Sequence, residues 1–335
     1  MAYTAAGEGA KYVDNVERVV LEQLEDKKPD MVRDLFTEMP WNPGDGDKVT
    51  FNSIALSGFA PRVDENESYP TTNPSNGNEL SKTQIQYGDK LEISRRMVKF
   101  NRYQQSRFDA EDLASRIRNT LDLELTLQVF SEADQTTFTP AGKSAYNIAT
   151  SDGQALASAS HSYGGVSFSN LLSGGGALSQ SNLNAAIEQG QQETPDDFGT
   201  YLTPNYDTLV ISDNVYMKNK AFQLFGSPLT PESGNNAVNF YNTESGMKII
   251  SLKFGNRNTL GAATTDNIYR WMIMDSNMAR RSLQLQLAEA PTTEQQFVDH
   301  DNLVAKILVT QFAAYAAVQP QGMVYSLSTT APTIS

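Results

Sequence analysis

The stretch Thr150-Ser151-Asp152-Gly153-Gln154-Ala155-Leu156-Ala157-Ser158-Ala159-Ser160-His161 separates a helical sequence pattern from a region of strands, short helices and turns. It opens with the Ser-Asp-Gly signature of a tight turn, and a second turn signal follows at residues 161–165. Before it, apolar residues recur at helical spacing, whereas after it strands and short helices alternate with Gly- and Asn-rich turns. Helices and strands mix without a repeating βαβ unit, so the sequence predicts the α+β class.

A long helix is predicted upstream of this stretch. Apolar residues follow one another at strict i, i+4 spacing, namely Leu113, Ile117, Leu121, Leu125 and Val129. Ser106 and Asp109 stand three residues apart, like a capping box, and predict where the helix begins. Residues 121–129 also alternate as a strand would, but their Leu, Glu and Gln content favours continued helix.

Two extended segments are predicted before this helix. Residues 49–56 indicate an outgoing strand, and residues 85–93 indicate its return strand with a bulge at Gly88-Asp89. The segment 61–82 between them has few apolar side chains to bury. Two strands joined by so long a polar tip are not stable alone. We therefore expect this hairpin to lie on another subunit.

The first segment of the chain has the pattern of a helical arm. Val16, Val20 and Leu24 recur at helical spacing, and Pro29 ends that piece. Asp30 can then cap a second short turn over residues 32–39. Short isolated helices are marginal in water, so both pieces need a packing partner. Packing on the chain's own domain and packing on a neighbouring subunit remain equally open.

The remainder of the chain carries signals for short elements. Gly174-Gly175-Gly176 precedes a short helix around residues 183–187, and Asp213 is predicted to cap a helix closed by Gly226. Strands are predicted at residues 206–212, 248–254, 268–274 and 282–287, followed by a final long pair at 303–317 and 323–327.

The composition excludes several classes of protein. Lys plus Arg is 26 and Asp plus Glu is 39, so 26 − 39 gives a net charge of −13. With no Cys, a disulfide framework, a thiolate metal site and a cysteine nucleophile are all excluded. The longest apolar run, residues 312–318, is far shorter than the ~20 residues that span a bilayer. The acidic balance also argues against general affinity for nucleic acid.

No sequence motif predicts a catalytic residue, a cofactor or a metal site. His300 lies between Asp299 and Asp301 and could act as a base, but this setting favours a solvated loop. His161 has no acid or Cys close in sequence. The Gly174–Gly176 run could place an anion at a helix N-terminus, although a hinge is favoured. Residues 45–47 lack the carboxylate spacing of a calcium loop and indicate a turn.

A basic cluster is the most distinctive charge feature. Its members are Arg95, Arg96, Lys99, Arg102 and Arg107, with no acid between residues 93 and 108. Contact with nucleic acid is one interpretation. The chain is acidic overall, however, and we favour contact with acidic segments of the same or an adjacent chain. Candidate acidic partners are Glu22, Glu25, Asp26 and Asp30.

The order of these elements resembles the major capsid protein of tailed bacteriophages, whose fold is shared with encapsulins and the herpesvirus capsid floor. The most specific local likeness is in residues 150–161, which are similar to an Asp-Gly-x-x-Leu-Phe-Ser-x-x-His stretch common in these proteins. Ala157 stands here where an aromatic residue is common. The resemblance covers nearly the whole chain in element order, but only this stretch is distinctive in its residues.

The resemblance implies a phage major-capsid fold with six segments. These are an N-terminal arm (1–47), an extended β-hairpin loop (48–100), a peripheral domain with the spine helix (101–173), an axial domain (174–289), return strands of the peripheral domain (290–318), and a C-terminal strand and tail (319–335). Some relatives cross-link a loop Lys to an Asn on a neighbour. Lys82 and Lys90 lie in that loop and are candidate inter-subunit contacts, but the cross-linking chemistry is not carried over.

The implied function is that of a structural, non-enzymatic shell protein. Its copies would form hexamers and pentamers of an icosahedral shell around double-stranded DNA, in a virion assembled in the bacterial cytoplasm. The implied partners are separate scaffolding and portal proteins and possible decoration proteins. The resemblance implies no contact with a membrane. An encapsulin-type compartment and a phage tail or baseplate protein are the alternatives.

Overall fold

The structure is a computed structural model of the chain. It describes residues 5–26, 31–42, 46–54, 62–65, 68, 76–140, 143–226, 246–259, 261–262, 264–300 and 303–333.

Helices and strands are interspersed along the described chain, which confirms the α+β class. The helices are α1 (Ala5–Asp26), α2 (Arg95–Lys99), α3 (Tyr103–Thr126), α4 (Gln180–Glu193), α5 (Val215–Gly226) and α6 (Ser276–Ser282). The strands are β1 (Thr37–Met39), β2 (Lys48–Ile54), β3 (Asn76–Thr83), β4 (Ile85–Ser94), β5 (Thr137–Phe138), β6 (Tyr146–Asn147), β7 (His161–Tyr163), β8 (Val166–Phe168), β9 (Thr208–Ser212), β10 (Lys248–Leu252), β11 (Trp271–Met274), β12 (Leu283–His300), β13 (Leu303–Ala317) and β14 (Met323–Ser326).

The long helix α3 is present as its apolar spacing predicts, and its Leu113, Leu121 and Leu125 are fully buried. The alternating segment is helical too, ending in a π-helical turn at Leu127–Ser131. The predicted capping box is wrong. The helix begins at Tyr103, so Ser106 lies inside it, and its hydroxyl pairs with the Tyr12 hydroxyl at 2.7 Å.

Helix α1 packs its apolar side chains on its own chain. Its Val13, Val16 and Val20 are fully buried in one cluster with residues of α3 and β13. Of the two packing alternatives, the single chain shows the intramolecular one. Asp30, the predicted cap of a second turn, lies outside the described residues. The chain next forms a 3-10 turn at Arg33–Leu35, and then β1 pairs in parallel with β12.

The first four-stranded sheet has the order β1-β12-β13-β4 and corrects the predicted hairpin. Strand β2 pairs with β3, in a separate two-stranded sheet, and not with the predicted return strand β4. Strand β4 instead pairs with β13, from which it is separated by about two hundred residues of sequence. Gly88 and Asp89 keep a continuous register with Thr310 and Val309, so the predicted bulge is absent from the described ladder.

The second four-stranded sheet has the order β10-β9-β11-β14. The predicted pairing of residues 303–317 with 323–327 is wrong, because β14 pairs with β11 instead. The predicted cap of α5 is also wrong. The Asn214 side chain, not Asp213, accepts the backbone N–H of Tyr216 at 2.8 Å, and Asp213 forms an ion pair with Lys218.

One hydrophobic core joins the two sheets through α3. It contains Leu125 of α3, Tyr315 of the first sheet and Met272 of the second. The base of the β2–β3 hairpin packs separately, through Val49 and Phe51, on small residues of β13. Among the described helices, none is long and apolar enough to cross a membrane.

Candidate assembly surfaces

The turn that begins at Thr150 is closed by a buried His–Asp pair. Asp152 accepts a hydrogen bond from His161 Nδ1 at 2.8 Å, from the Thr150 hydroxyl at 2.5 Å and from the backbone N–H of Gln154 at 3.1 Å. The expectation that His161 has no nearby acid is therefore wrong. Its partner lies nine residues earlier in the same distinctive stretch, and the antiparallel β7–β8 hairpin places the imidazole over it.

The environment of this pair points to a structural role. His161 is fully buried, its ring lies 5.4 Å from that of Phe168, and no described residue hydrogen-bonds its Nε2. Burial alone would raise the pKa of Asp152, but the hydrogen bonds and charge of His161, together with the Thr150 hydroxyl, bring it below its ordinary value. A base needs access to substrate, and this imidazole has none. The pair instead stabilises the turn.

A second buried polar centre lies under β4 and β13. Glu124 of α3 accepts a hydrogen bond from the Tyr315 hydroxyl at 3.0 Å and another from the Tyr87 hydroxyl. Burial raises the pKa of the Glu124 carboxyl, and the two tyrosine hydrogen bonds partly offset that increase. Sequence reasoning missed this centre because Glu124 occupies a polar position in an otherwise regular helical pattern.

A groove of about 920 Å³ opens above this centre. Its walls are Tyr87 and Asp89 of β4, Arg116 and Leu123 of α3, and Phe254. Charges of both signs line it, and Arg116 already pairs with Asp89 at 2.9 Å. Across the described ranges, no group of three His, Asp or Glu side chains could hold a metal ion. The described residues of the groove therefore include no metal-binding group.

The two predicted lysine contacts have partners within the chain. The ammonium group of Lys82 is buried and donates to the backbone carbonyl of Asn147 at 2.6 Å. Burial lowers the pKa of Lys82 to about 8. Lys90 is exposed and pairs with Glu92 at 2.9 Å. An inter-subunit role for either lysine stays a prediction.

The basic cluster lies at the junction of α2 and α3. Arg95, Arg96, Lys99 and Arg102 are all exposed, and no described residue pairs with any of them. We call these four residues the basic corner. Arg107 is different, because it forms an ion pair with Glu111 at 3.0 Å. The corner thus presents four cations to whatever lies outside the chain.

The predicted acidic partners belong to the other end of α1. Glu22 is exposed and forms a surface pair with Arg18 at 3.4 Å. Glu25 and Asp26 lie in the last turn of the helix, and their side chains fall outside the described residues. Glu22, whose side chain the structure describes, therefore pairs within its own helix and not with the basic corner.

The other sequence candidates form no site in the described structure. Gly176 accepts hydrogen bonds through its carbonyl from Trp271 at 3.0 Å and from Ser326 at 2.8 Å, so hydrogen bonds hold it in place. Asp299 and His300 end β12, where their side chains are not described, and Asp301 lies outside the described residues. The turn at residues 45–47 is described only from residue 46 onward.

Comparison with known proteins gives one family match. The family model described as phage capsid protein matches residues 78–326, which is 249 of the 335 residues. No curated protein sequence matches the chain.

Several solved structures are similar to this one. A virus-like particle from Pyrococcus furiosus is 11% identical with a TM-score of 0.45, and the alignment covers 93% of this chain and 97% of that one. A structure from Gordonia phage Cozz is 12% identical with a TM-score of 0.48 and coverage of 90% and 88%. The capsid of cyanophage P-SCSP1u is 15% identical, with a TM-score of 0.48 and coverage of 89% and 88%.

Proposed function

The chain belongs to the phage capsid protein family and is a capsid shell protein, and we propose that its copies form hexamers and pentamers of an icosahedral shell around double-stranded DNA. The family match covers α3, strands β4, β12 and β13 of the first four-stranded sheet, and all four strands of the second. Shells of this kind need subunits whose outer elements are completed by neighbours. Elements of this chain that are left incomplete on their own therefore support this function.

The β2–β3 hairpin is the observation that carries the proposal. It is a two-stranded sheet attached to the body through its base, and two strands are marginally stable alone. The chain exposes 17575 Å² of surface, whereas a compact monomer of this mass exposes about 13,600 Å². Burial against neighbouring copies is the natural way to stabilise such an extended subunit.

The proposed segments follow the chain in order. They are the arm (1–47), the extended loop (48–100), the peripheral domain with the spine helix (101–173), the axial domain (174–289), the return strands (290–318) and the C-terminal strand and tail (319–335). Strand β14 pairs with β11, so the C-terminal strand is proposed to support the axial sheet. Strand β4 pairs with β13 and ties the end of the loop segment to the peripheral sheet.

The net charge of −13 supports a container for DNA rather than a DNA-binding protein. An acidic inner wall repels phosphates and lets packaged DNA slide. Separate scaffolding and portal proteins, and possible decoration proteins, are proposed partners. The proposed location is the virion, assembled in the cytoplasm of the bacterial host, and no catalytic role is proposed.

Electron microscopy of purified protein, combined with nuclease treatment of particles from infected cells, tests this function. Closed icosahedral particles that protect double-stranded DNA are expected. Particles that enclose protein but no nuclease-protected DNA would indicate an encapsulin-type compartment. Tubes or open rings would indicate a tail or baseplate protein, and persistent monomers under all assembly conditions would contradict every shell function.

A further inference from the structure

The basic corner differs from the cations nearest to it in sequence. Lys90, Arg107 and Arg116 each form an ion pair within the chain, at 2.9, 3.0 and 2.9 Å. The four corner residues, which lie between them in sequence, pair with no described residue. Exposed charges without partners contribute little to the stability of the subunit. The clustering of these four cations therefore indicates that they bind another molecule.

The corner is held in one conformation by its own backbone. The Ser94 hydroxyl caps α2 by accepting the backbone N–H of Met97 at 3.3 Å. Asn101 then adopts a left-handed backbone conformation with φ of 47° and turns the chain into α3. Tyr103 anchors that turn through an edge-to-face contact with Tyr12, with ring centroids 5.9 Å apart. The cations are thus presented on a preorganised scaffold.

Two exposed aromatic side chains distinguish a protein partner from DNA. Phe100 is 63% exposed and lies among the corner cations in sequence, and Phe108, six residues after Arg102, is 64% exposed. Phosphates of a DNA duplex would neutralise the cations but would leave these rings in water. Arg and aromatic residues together are the combination that carries most binding energy in protein interfaces. The surface therefore fits an acidic protein face.

The geometry of α1 and α3 places Glu22 far from the basic corner of the same chain. The two helices run parallel, since Tyr12 contacts Ser106 near their N-terminal ends and Arg118 donates to the Leu24 carbonyl further along both. Twelve residues separate these contacts along each helix, or about 18 Å. The basic corner adjoins the first end, and Glu22 lies at the second. A contact between two copies can join these ends, whereas a contact within one copy cannot.

We propose that the basic corner of one copy binds the acidic end of α1 in a second copy, in a head-to-tail contact within the shell. This inference rests on the proposed function. The contact is heterologous, with different surfaces meeting, and repeated head-to-tail contacts close into rings. The second copy supplies the carboxylates of Glu22, Glu25 and Asp26, and Phe100 and Phe108 lose water as the two surfaces meet.

Charge reversal of the full-length chain tests the contact. In Arg95→Glu/Arg96→Glu, like charges would face each other, and we expect the yield of closed particles to fall about tenfold or more. Lys143→Glu/Lys253→Glu makes the same change in net charge at two exposed positions outside the corner and should assemble like the wild type. Adding Glu22→Lys/Glu25→Lys/Asp26→Lys to the first variant should restore particles.

The outcomes separate this proposal from the proposed function. Normal particle yield in Arg95→Glu/Arg96→Glu overturns the contact while leaving the shell function intact, whereas a wild type that never assembles overturns the function. Normal shells that package less DNA would make the corner a nucleic-acid contact and also overturn the proposal. Should circular dichroism show that the variant is unfolded, the milder Arg95→Gln/Arg96→Gln is tested in its place, with a smaller loss of particles expected.

Discussion

The turn closed by Asp152 and His161 and the basic corner are both polar, yet they differ in where their partners lie. Asp152 accepts three hydrogen bonds from residues of its own turn within 3.1 Å, and its His partner is fully buried. The four cations of the corner are exposed and pair with no described residue. The first region has its partners within one chain, whereas we propose that the second finds its partners on a neighbouring copy.

This difference separates the groups that stabilise the subunit from the groups that are proposed to stabilise the shell. Buried pairs are costly to break because the remaining partner is left without compensation. Exposed, unpaired groups can be changed with little effect on the folded chain. Substitutions inside the first region should therefore lower stability, and substitutions at the corner should lower assembly alone.

Asp152→Ala should have the largest effect on the folded chain. It removes an acceptor shared by His161, Thr150 and Gln154, and we expect the free energy of unfolding to fall by about 3–5 kcal/mol. Denaturant titration of the unassembled protein measures this change. Asp152→Asn keeps an acceptor oxygen and should cost less, about 1–3 kcal/mol. A loss below about 1 kcal/mol in Asp152→Ala would mean that the turn is not held by the pair.

Tyr87→Phe should have the next largest effect. It deletes one of two hydrogen bonds to the buried Glu124 carboxyl, with an expected loss of about 1.5–3 kcal/mol in the free energy of unfolding at pH 7. Tyr315→Phe deletes the other hydrogen bond and is the matched comparison. If both variants unfold at the wild-type denaturant concentration, the centre does not contribute to subunit stability.

The same variant should change how stability depends on pH. Burial raises the pKa of folded Glu124 above its ordinary value of 4.5. The protonated carboxyl therefore contributes fully to the free energy of unfolding below pH 4.5, and this contribution is lost as pH rises through the folded pKa. The Tyr87 hydrogen bond lowers this pKa, so in Tyr87→Phe the loss should extend to higher pH. Unfolding titrations from pH 4 to pH 8 measure the shift. Glu124→Gln, which cannot ionise, should lack this component.

Lys82→Met should have a small effect. The variant loses the hydrogen bond to Asn147 but also avoids burying an ammonium group, so we expect a change within about 1 kcal/mol at pH 7. Because burial lowers the pKa of Lys82 to about 8, the wild type should gain stability as pH rises from about 8 towards the ordinary value of 10.5. Thermal melts across this range should show the gain in the wild type and not in Lys82→Met.

Phe100→Ser should have the smallest effect on the subunit. The ring is 63% exposed, so the free energy of unfolding should stay within about 0.5 kcal/mol of the wild type. Particle yield should nevertheless fall, because the ring belongs to the proposed contact. Tyr87→Phe changes a buried aromatic side chain instead, and that variant should lose stability. Unchanged assembly together with unchanged stability would remove Phe100 from the contact.

Local periodicity made much of this fold predictable. The i, i+4 spacing from Leu113 to Leu125 predicts the position of α3, and the Val16 and Val20 spacing predicts α1. The beginning of α3 was wrongly predicted because the Ser106 hydroxyl bonds to Tyr12, which lies 94 residues earlier in sequence. Local patterns contain no information about such distant partners.

Strand pairing and the polar centres could not be predicted for the same reason. Residues 85–93 form a strand as predicted, but its partner β13 begins at Leu303, and the apolar alternation of a strand does not identify its neighbour. The partner of His161 lies closer in sequence than these strand partners, since Asp152 is in the same stretch of residues 150–161. A turn signal followed by a hairpin signal could have indicated that the two side chains meet.

Hydrogen–deuterium exchange of assembled particles against unassembled protein tests the central comparison most directly. Amide exchange reports local opening, so segments that gain partners in the shell should become more protected. We expect a large gain in protection over residues 94–108 and little change over residues 150–163. A gain over residues 150–163 with none at the basic corner would contradict the division between groups that hold the subunit and groups that hold the shell.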